Sequence, residues 1–112
     1  MNLPKVVSDL VEAQNNFDSV TYANCFSETA VVFDERKTHN GRTEIQDWIA
    51  KANDKYKTVM KPIGYEETGT TSVLTANVSG TFDGSPIVLK YHFEIANGQI
   101  QSFLFLSFVL FN

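Results

Sequence analysis

The chain has 112 residues, of which 43% are hydrophobic and 20% charged, and its formal net charge is −4. This length and composition suit one folded domain over residues 1–112 and argue against disorder. Because the basic residues are few and scattered, no basic face is available to follow a phosphate backbone, so nucleic acid is not an expected partner.

The sequence does not predict a metal site, a disulfide or a membrane-spanning segment. Cys25 is the only cysteine, and the two histidines are distant from it in sequence, so we expect no disulfide, no metal site and no other cofactor. No basic region followed by an apolar run opens the chain, and no apolar stretch approaches about 18 residues. These features predict a cytoplasmic protein with no membrane segment.

The first part of the chain predicts two helices. Pro4 suits the first turn of a helix, and Asn15 suits its end. Between them apolar residues recur at helical spacing, at Val6, Val7, Leu10 and Val11. Asp18 is a suitable N-cap for a second, shorter helix that carries Tyr22. We expect Cys25, at the end of that helix, to be a small buried side chain.

A strand, a loop and a third helix follow. Residues 30–35 are rich in β-branched and aromatic side chains and predict a strand. Residues 36–42 predict a polar loop, in which His39 could cap, bind substrate or orient the turn. Thr43 and Gln46 have the spacing of a capping box, which predicts a helix from this point to about Lys57. Its apolar stripe comprises Ile45, Trp48, Ile49, Ala52 and Tyr56.

The remainder of the chain is strand-like. One strand is predicted over 58–68, bent at Pro62 and Gly64, and another over 71–82, followed by a turn at 83–86. The last two strands, 87–96 and 99–110, flank Asn97-Gly98, a strong hairpin signal. Helices concentrated before a run of antiparallel strands indicate the α+β class.

The final hairpin is apolar on both faces. A two-residue turn would pair His92 with Phe103 and Lys90 with Phe105, leaving Tyr91 and other apolar residues on the opposite face. A bulge would change this parity, so the sequence leaves open which face covers the helices. Because the other face would expose a large apolar patch on a monomer, we expect a homodimer built on the sheet.

Four segments of the sequence resemble the nuclear-transport-factor-2-like superfamily. They are Phe26 to Glu35, Thr38 to Trp48, Val78 to Pro86 and Phe93 to Ile100. With the order of the elements, the resemblance extends over almost the whole chain and is strongest to the SnoaL-like subgroup. It implies a cone-shaped fold in which three N-terminal helices pack on a curved, mostly antiparallel sheet and leave a cavity between the two layers.

The resemblance also points to Asp34. In ketosteroid isomerase, a member of this superfamily, the catalytic base is an aspartate near the end of the first strand, and Asp34 matches that position. The isomerase's oxyanion-hole tyrosine falls at Leu10, and its second aspartate falls between Lys90 and His92, where no residue is acidic. Without these partners a large part of the catalytic effect is lost, so steroid isomerisation is not expected.

Candidate site residues follow from this match and from strand alternation. Asp34 should share a face with Ala30 and Val32, and facing a cavity it would be a usable base. We take His92 as a second candidate catalytic group, with His92 or Tyr91 replacing the missing oxyanion donor. The expected walls of the pocket are Tyr22, Trp48, Tyr56, Tyr91, Phe103 and Phe105.

Two functions remain open at this stage. The first is a pocket for a small apolar molecule, belonging either to an acid/base enzyme of isomerase, cyclase, hydratase or hydrolase type or to a carrier. The second is a non-catalytic module in which the apolar sheet face dimerises or docks a partner. A concave pocket with Asp34 at its floor favours the first, and an interior filled by Trp48, Phe103 and Phe105 favours the second.

Overall fold

A computed structural model describes residues 1–34 and 37–107, with side chains to residue 104. Its helices are α1 (Lys5–Asn15), α2 (Ser19–Asn24) and α3 (Gly41–Tyr56). Its strands are β1 (Phe26–Asp34), β2 (Lys37–Asn40), β3 (Val59–Thr68), β4 (Thr71–Ser79), β5 (Ile87–Ala96) and β6 (Gln99–Ser107). The predicted α+β class is confirmed.

All six described strands form one sheet. Its strand order is β2-β1-β6-β5-β4-β3, and every neighbouring pair is antiparallel except β1 and β6, which run parallel. The three helices cover one face, where Leu10 of α1 and Ile45 of α3 are fully buried against the sheet. Phe93 and Phe103 hold the centre of that inner face at 1% exposure each. No helix in the described part of the chain is long and apolar enough to cross a membrane.

The ends of the helices follow local chemistry. The Asp18 carboxylate accepts the backbone N–H of Thr21 at 3.1 Å, which confirms it as the N-cap of α2. The predicted start of α3 at Thr43 is wrong, because the helix begins at Gly41. There the backbone N–H of Asn40 donates to Glu44 at 2.9 Å, so Glu44 caps the helix in place of Gln46. The predicted end at Lys57 is confirmed by its left-handed conformation.

Residues 37–40, predicted as loop, form the short edge strand β2. It pairs antiparallel with β1, so that Lys37 lies opposite Asp34 and His39 lies opposite Val32. Polar side chains are common on edge strands, where they discourage association with another sheet. The segment therefore carried no apolar alternation by which it could be recognised. Residues 35 and 36, which join β1 to β2, lie outside the described structure.

The predicted register of the final hairpin is wrong by one residue. Ile95 pairs with Ile100, but Glu94 pairs with Ser102, so Gln101 is an extra residue in β6. Beyond this bulge His92 lies opposite Leu104 rather than Phe103, and the strand's side chains exchange faces. The expected distortion of β3 is confirmed, with its register shift between Pro62 and Gly64.

Candidate functional site

The end of β1 holds a carboxylate bound to the third helix. Asp34 shares the inner face of β1 with Ala30 and Val32, which are 1% and 0% exposed, as strand alternation predicts. The indole Nε1–H of Trp48, in the middle of α3, donates to Asp34 Oδ2 at 3.1 Å. Both side chains are half-buried. The hydrogen bond therefore fixes the orientation of one carboxylate oxygen at the rim of the core.

His39 completes this cluster from the edge strand. Its ring stacks on Trp48 with the centroids 5.3 Å apart and an angle of 27° between the planes. His39 Nε2 is buried and has no hydrogen-bond partner among the described residues. Sequence reasoning left His39 out of the site because β2 was taken for a loop. Residues 37–40 are all polar, so no alternation in the sequence marked the segment as a strand or showed which way His39 faces.

Behind Asp34, His39 and Trp48, which we call the rim cluster, lies a packed set of aromatic rings. Tyr22 is 6.3 Å from Trp48 between ring centroids, and Tyr91 is 5.4 Å from Phe103. This aromatic cluster comprises Tyr22, Phe26, Tyr91, Phe93 and Phe103. Burial raises the pKa of Tyr22 well above its usual range and also raises the pKa of Tyr91. Both phenols therefore stay neutral, and both side chains pack in the hydrophobic core.

The other predicted site residues lie apart from the rim cluster. His92 faces the outer side of the sheet, in one cross-strand row with Phe33, Leu104 and Val73. Tyr56, at the end of α3, packs edge-on against Phe82 with 6.4 Å between ring centroids. The side chain of Phe105 lies outside the described residues. The structure thus brings Asp34, Trp48, Tyr22, Tyr91 and Phe103 to one side of the sheet and leaves His92 on the other.

Lys37 lies opposite Asp34 in the β1–β2 pair but forms no ion pair with it. Within residues 1–34 and 37–104, no cationic side chain forms an ion pair with Asp34, and Trp48 is the one side chain that donates to it. The same part of the chain contains no group of three or more histidine, cysteine or acidic residues able to hold a metal ion. The Asp34 carboxylate can accept a proton or a hydrogen bond.

Comparison with known proteins shows the family of this chain. No protein-family model and no curated protein matches the chain. A solved structure from Sinorhizobium meliloti, of a protein provisionally named a polyketide cyclase, is 32% identical over 93% of this chain and 95% of that one, with a TM-score of 0.88. The chain belongs to the nuclear-transport-factor-2-like superfamily. The resemblance seen in the four sequence segments is thereby confirmed.

More distant members of the nuclear-transport-factor-2-like superfamily share the fold alone. A Catenulispora acidiphila protein with a ketosteroid isomerase-like fold, solved with trimethylamine, is 16% identical over 94% of this chain and 86% of its own, with a TM-score of 0.84. An epoxide hydrolase from M. tuberculosis is 13% identical over 96% of this chain and 83% of its own, with a TM-score of 0.79.

This superfamily member also has an open cavity of about 680 Å³ between α1, α2 and the β5–β6 turn. Lys5, Asp9, Asp18 and Cys25 are among its lining residues. Of these lining residues, Cys25 is the buried nucleophilic one: it is 7% exposed, and its thiol donates to the carbonyl of Thr21 at 3.4 Å. Burial raises the pKa of Cys25 to about 11, so the thiol is protonated at neutral pH and is a poor nucleophile. The expectation of a small buried side chain holds.

Proposed function

We propose that this protein is an acid/base enzyme that acts on a small apolar molecule, with Asp34 as the proton acceptor. The observation that carries the proposal is the hydrogen bond from Trp48 Nε1–H to Asp34 Oδ2. It orients a half-buried carboxylate that has no cationic partner in the described structure. An oriented base near apolar side chains is suited to take a proton from carbon or from water.

The rim cluster is the site of this proposal, rather than the deep interior. The aromatic cluster behind it is packed, with Tyr22 2% and Phe103 1% exposed. By the criterion given above, this packed interior favours the non-catalytic module, so the enzymatic proposal requires a small molecule to meet Asp34 at the rim, with Trp48 and His39 beside it. Among the similar solved structures, one protein is provisionally named a polyketide cyclase and another is named an epoxide hydrolase, which supports an enzymatic role. Steroid isomerisation is not favoured, because Leu10 is a fully buried core residue without a hydroxyl group.

Two generic substrates test the proposal. Opening of 5-nitrobenzisoxazole reports removal of a proton from carbon, and opening of styrene oxide reports activation of water. Asp34→Asn keeps the shape and removes the base, so turnover of whichever probe is accepted should fall at least about 100-fold while binding persists. Glu28→Gln, an exposed carboxylate on the same strand, is the matched control and should not change turnover. Unchanged turnover in Asp34→Asn would refute the catalytic role.

A second proposal concerns the outer face of the sheet, for which we infer a role in homodimerisation. Phe33 and Leu104 are neighbours in one cross-strand row and are 46% and 40% exposed. Large apolar side chains side by side on an open sheet favour contact with another apolar face. This proposal is compatible with the first, because the outer face and the rim cluster lie on opposite sides of the sheet.

A further inference from the structure

His92 lies in a row of side chains that crosses the outer face of the sheet. The row extends from β1 to β4 through Phe33, Leu104, His92 and Val73, and we call it the outer row. Phe33 and Leu104 are 46% and 40% exposed. His92 is half-buried, and its Nε2 is buried without a hydrogen-bond partner among the described residues. An apolar surface that contains such a ring is sensitive to whether the ring carries a proton.

Opposite charges lie at equal distances on the two sides of His92. Lys90 and Glu94 are two residues before it and two residues after it in β5, so strand alternation places all three on the outer face. Each of the two charged residues is about 7 Å from His92 along the strand. The residues paired with these three on the adjacent strands are all uncharged: Thr71, Val73 and Thr75 on β4, and Ser102, Leu104 and Leu106 on β6. One strand farther out, Glu66 of β3 lies opposite Val73.

This charge pattern is self-complementary about a twofold axis that runs along the outer row. Such an axis packs the outer face of one copy on the outer face of a second copy and makes the two β5 strands antiparallel. Lys90 of each copy then faces Glu94 of the other, whereas each residue of the outer row faces its own copy. Within one chain, Lys90 and Glu94 are about 13 Å apart along the strand. The pattern therefore favours a second copy of this chain as the occupant of the outer face.

We propose that His92 makes self-association depend on pH, because two copies pack together while its ring is neutral and separate when the ring is protonated. The inference rests on the proposed homodimer and adds its symmetry and its regulation. A residue on a twofold axis meets its own copy, so protonation brings two like charges together within an apolar row. In the monomer the same face is open to water, which solvates the charge. The dimer therefore binds fewer protons than two monomers, and association weakens as pH falls.

Sedimentation equilibrium of the full chain at pH 7.5 and pH 5.5 tests the inference. Because each dimer contains two such rings, its association constant can fall by up to about 100-fold per pH unit. We expect a fall of at least about tenfold between the two pH values, a range in which histidine is the side chain that ordinarily changes charge. Glu94 keeps its charge at pH 5.5, because hydrogen bonds from the hydroxyls of Thr71 and Thr70 lower the pKa of its carboxyl. Circular dichroism at both pH values confirms that the chain is folded.

Two histidine variants assign the pH dependence to a residue. His92→Gln keeps a polar side chain of similar length that takes up no proton, so its association constant should be the same at pH 7.5 and pH 5.5. His39→Gln removes the other histidine of the chain, which lies on the inner face, and should keep the pH dependence of the wild type. The melting temperature confirms that each variant is folded. A pH dependence in His92→Gln equal to that of the wild type would overturn the inference.

Exchange of the charges beside His92 tests the symmetry. Lys90→Glu places two acidic groups opposite each other on each side of the axis, so association at pH 7.5 should weaken by at least about tenfold. Adding Glu94→Lys to this variant restores opposite charges between the two copies and should recover most of the loss. A folded double variant that recovers nothing would overturn the proposed axis.

The outcomes also separate this inference from the proposed homodimer. A dimer with the same association constant at pH 7.5 and pH 5.5 would overturn the role of His92 and leave the homodimer standing. A chain that stays monomeric at pH 7.5 would overturn both. Neither result bears on Asp34, whose proposed role is measured by turnover of the generic probes.

Discussion

The indole N–H of Trp48 and the carboxylate of Asp34 connect the middle of α3 to the end of β1 through a 3.1 Å hydrogen bond. This bond joins two elements that are separated in sequence by the edge strand β2. It makes the position of the proposed base depend on the packing of a helix. Trp48→Phe should therefore keep the aromatic stack with His39 while releasing Asp34.

We expect Trp48→Phe to lower turnover of a probe substrate about tenfold, which is less than the effect of Asp34→Asn, because the base is retained but is no longer oriented. Steady-state kinetics on both variants provide the comparison. Tyr56→Phe, a change to an aromatic residue at the far end of the same helix, is the control and should retain full turnover. A loss in Trp48→Phe as large as that in Asp34→Asn would show that the indole does more than orient the base.

The buried phenols of Tyr22 and Tyr91 should make the fold sensitive to alkali. Burial raises the pKa of both tyrosines in the folded protein, whereas a tyrosine in the unfolded chain has a pKa near 10. At a pH between the unfolded and the folded pKa, the folded state therefore binds more protons than the unfolded state. Stability from this source is complete below about pH 10 and falls as pH rises, by about 1.4 kcal/mol per pH unit for each tyrosine. Urea unfolding at pH 9 and pH 11 measures the loss.

Tyr22→Phe should remove about half of this tyrosine-dependent loss, because one buried phenol remains. Tyr56→Phe removes a half-exposed phenol and should follow the wild type. If Tyr22→Phe and the wild type lose equal stability between pH 9 and pH 11, burial of Tyr22 is not the cause of the alkaline sensitivity.

Cys25 should react slowly with thiol reagents. With a pKa of about 11, roughly 200-fold less of its thiol is ionised at pH 8 than for an ordinary cysteine of pKa near 8.5. We expect alkylation by iodoacetamide at pH 8 to be slower by at least this factor in the folded protein than in urea. Mass spectrometry of timed samples gives both rates, and similar rates in the two conditions would contradict the burial of the thiol.

The outer face of the sheet should support a dimer. A charge placed at Leu104, as in Leu104→Glu, would face an apolar partner surface without a counter-ion, so the dimer should weaken by at least tenfold. Sedimentation equilibrium measures the association constant. Glu28→Gln, which alters an exposed side chain of β1 without adding charge to the outer row, should associate as the wild type does. A wild-type protein that stays monomeric at micromolar concentration would refute this prediction.

Much of the fold was accessible from local sequence patterns. Asp18 predicted the start of α2, Asn97-Gly98 predicted the hairpin, and both of these turn residues have the positive φ angles that such a turn needs. The face shared by Ala30, Val32 and Asp34 followed from strand alternation. Each of these features depends on interactions within a few residues of sequence, which is why composition and spacing suffice to predict them.

The candidate site depended on contacts that no local pattern encodes. The extra residue Gln101 placed Phe103 on the face of Tyr91 instead of the face of His92, because a one-residue shift in register reverses every β6 side chain beyond it relative to β5. The polar segment containing His39 became a strand only because β1 offered it an edge to pair with. The sequence by itself determined the class of fold and the identity of the proposed base. The tertiary structure decided which groups surround that base, since strand register and helix packing bring together residues that are distant along the chain.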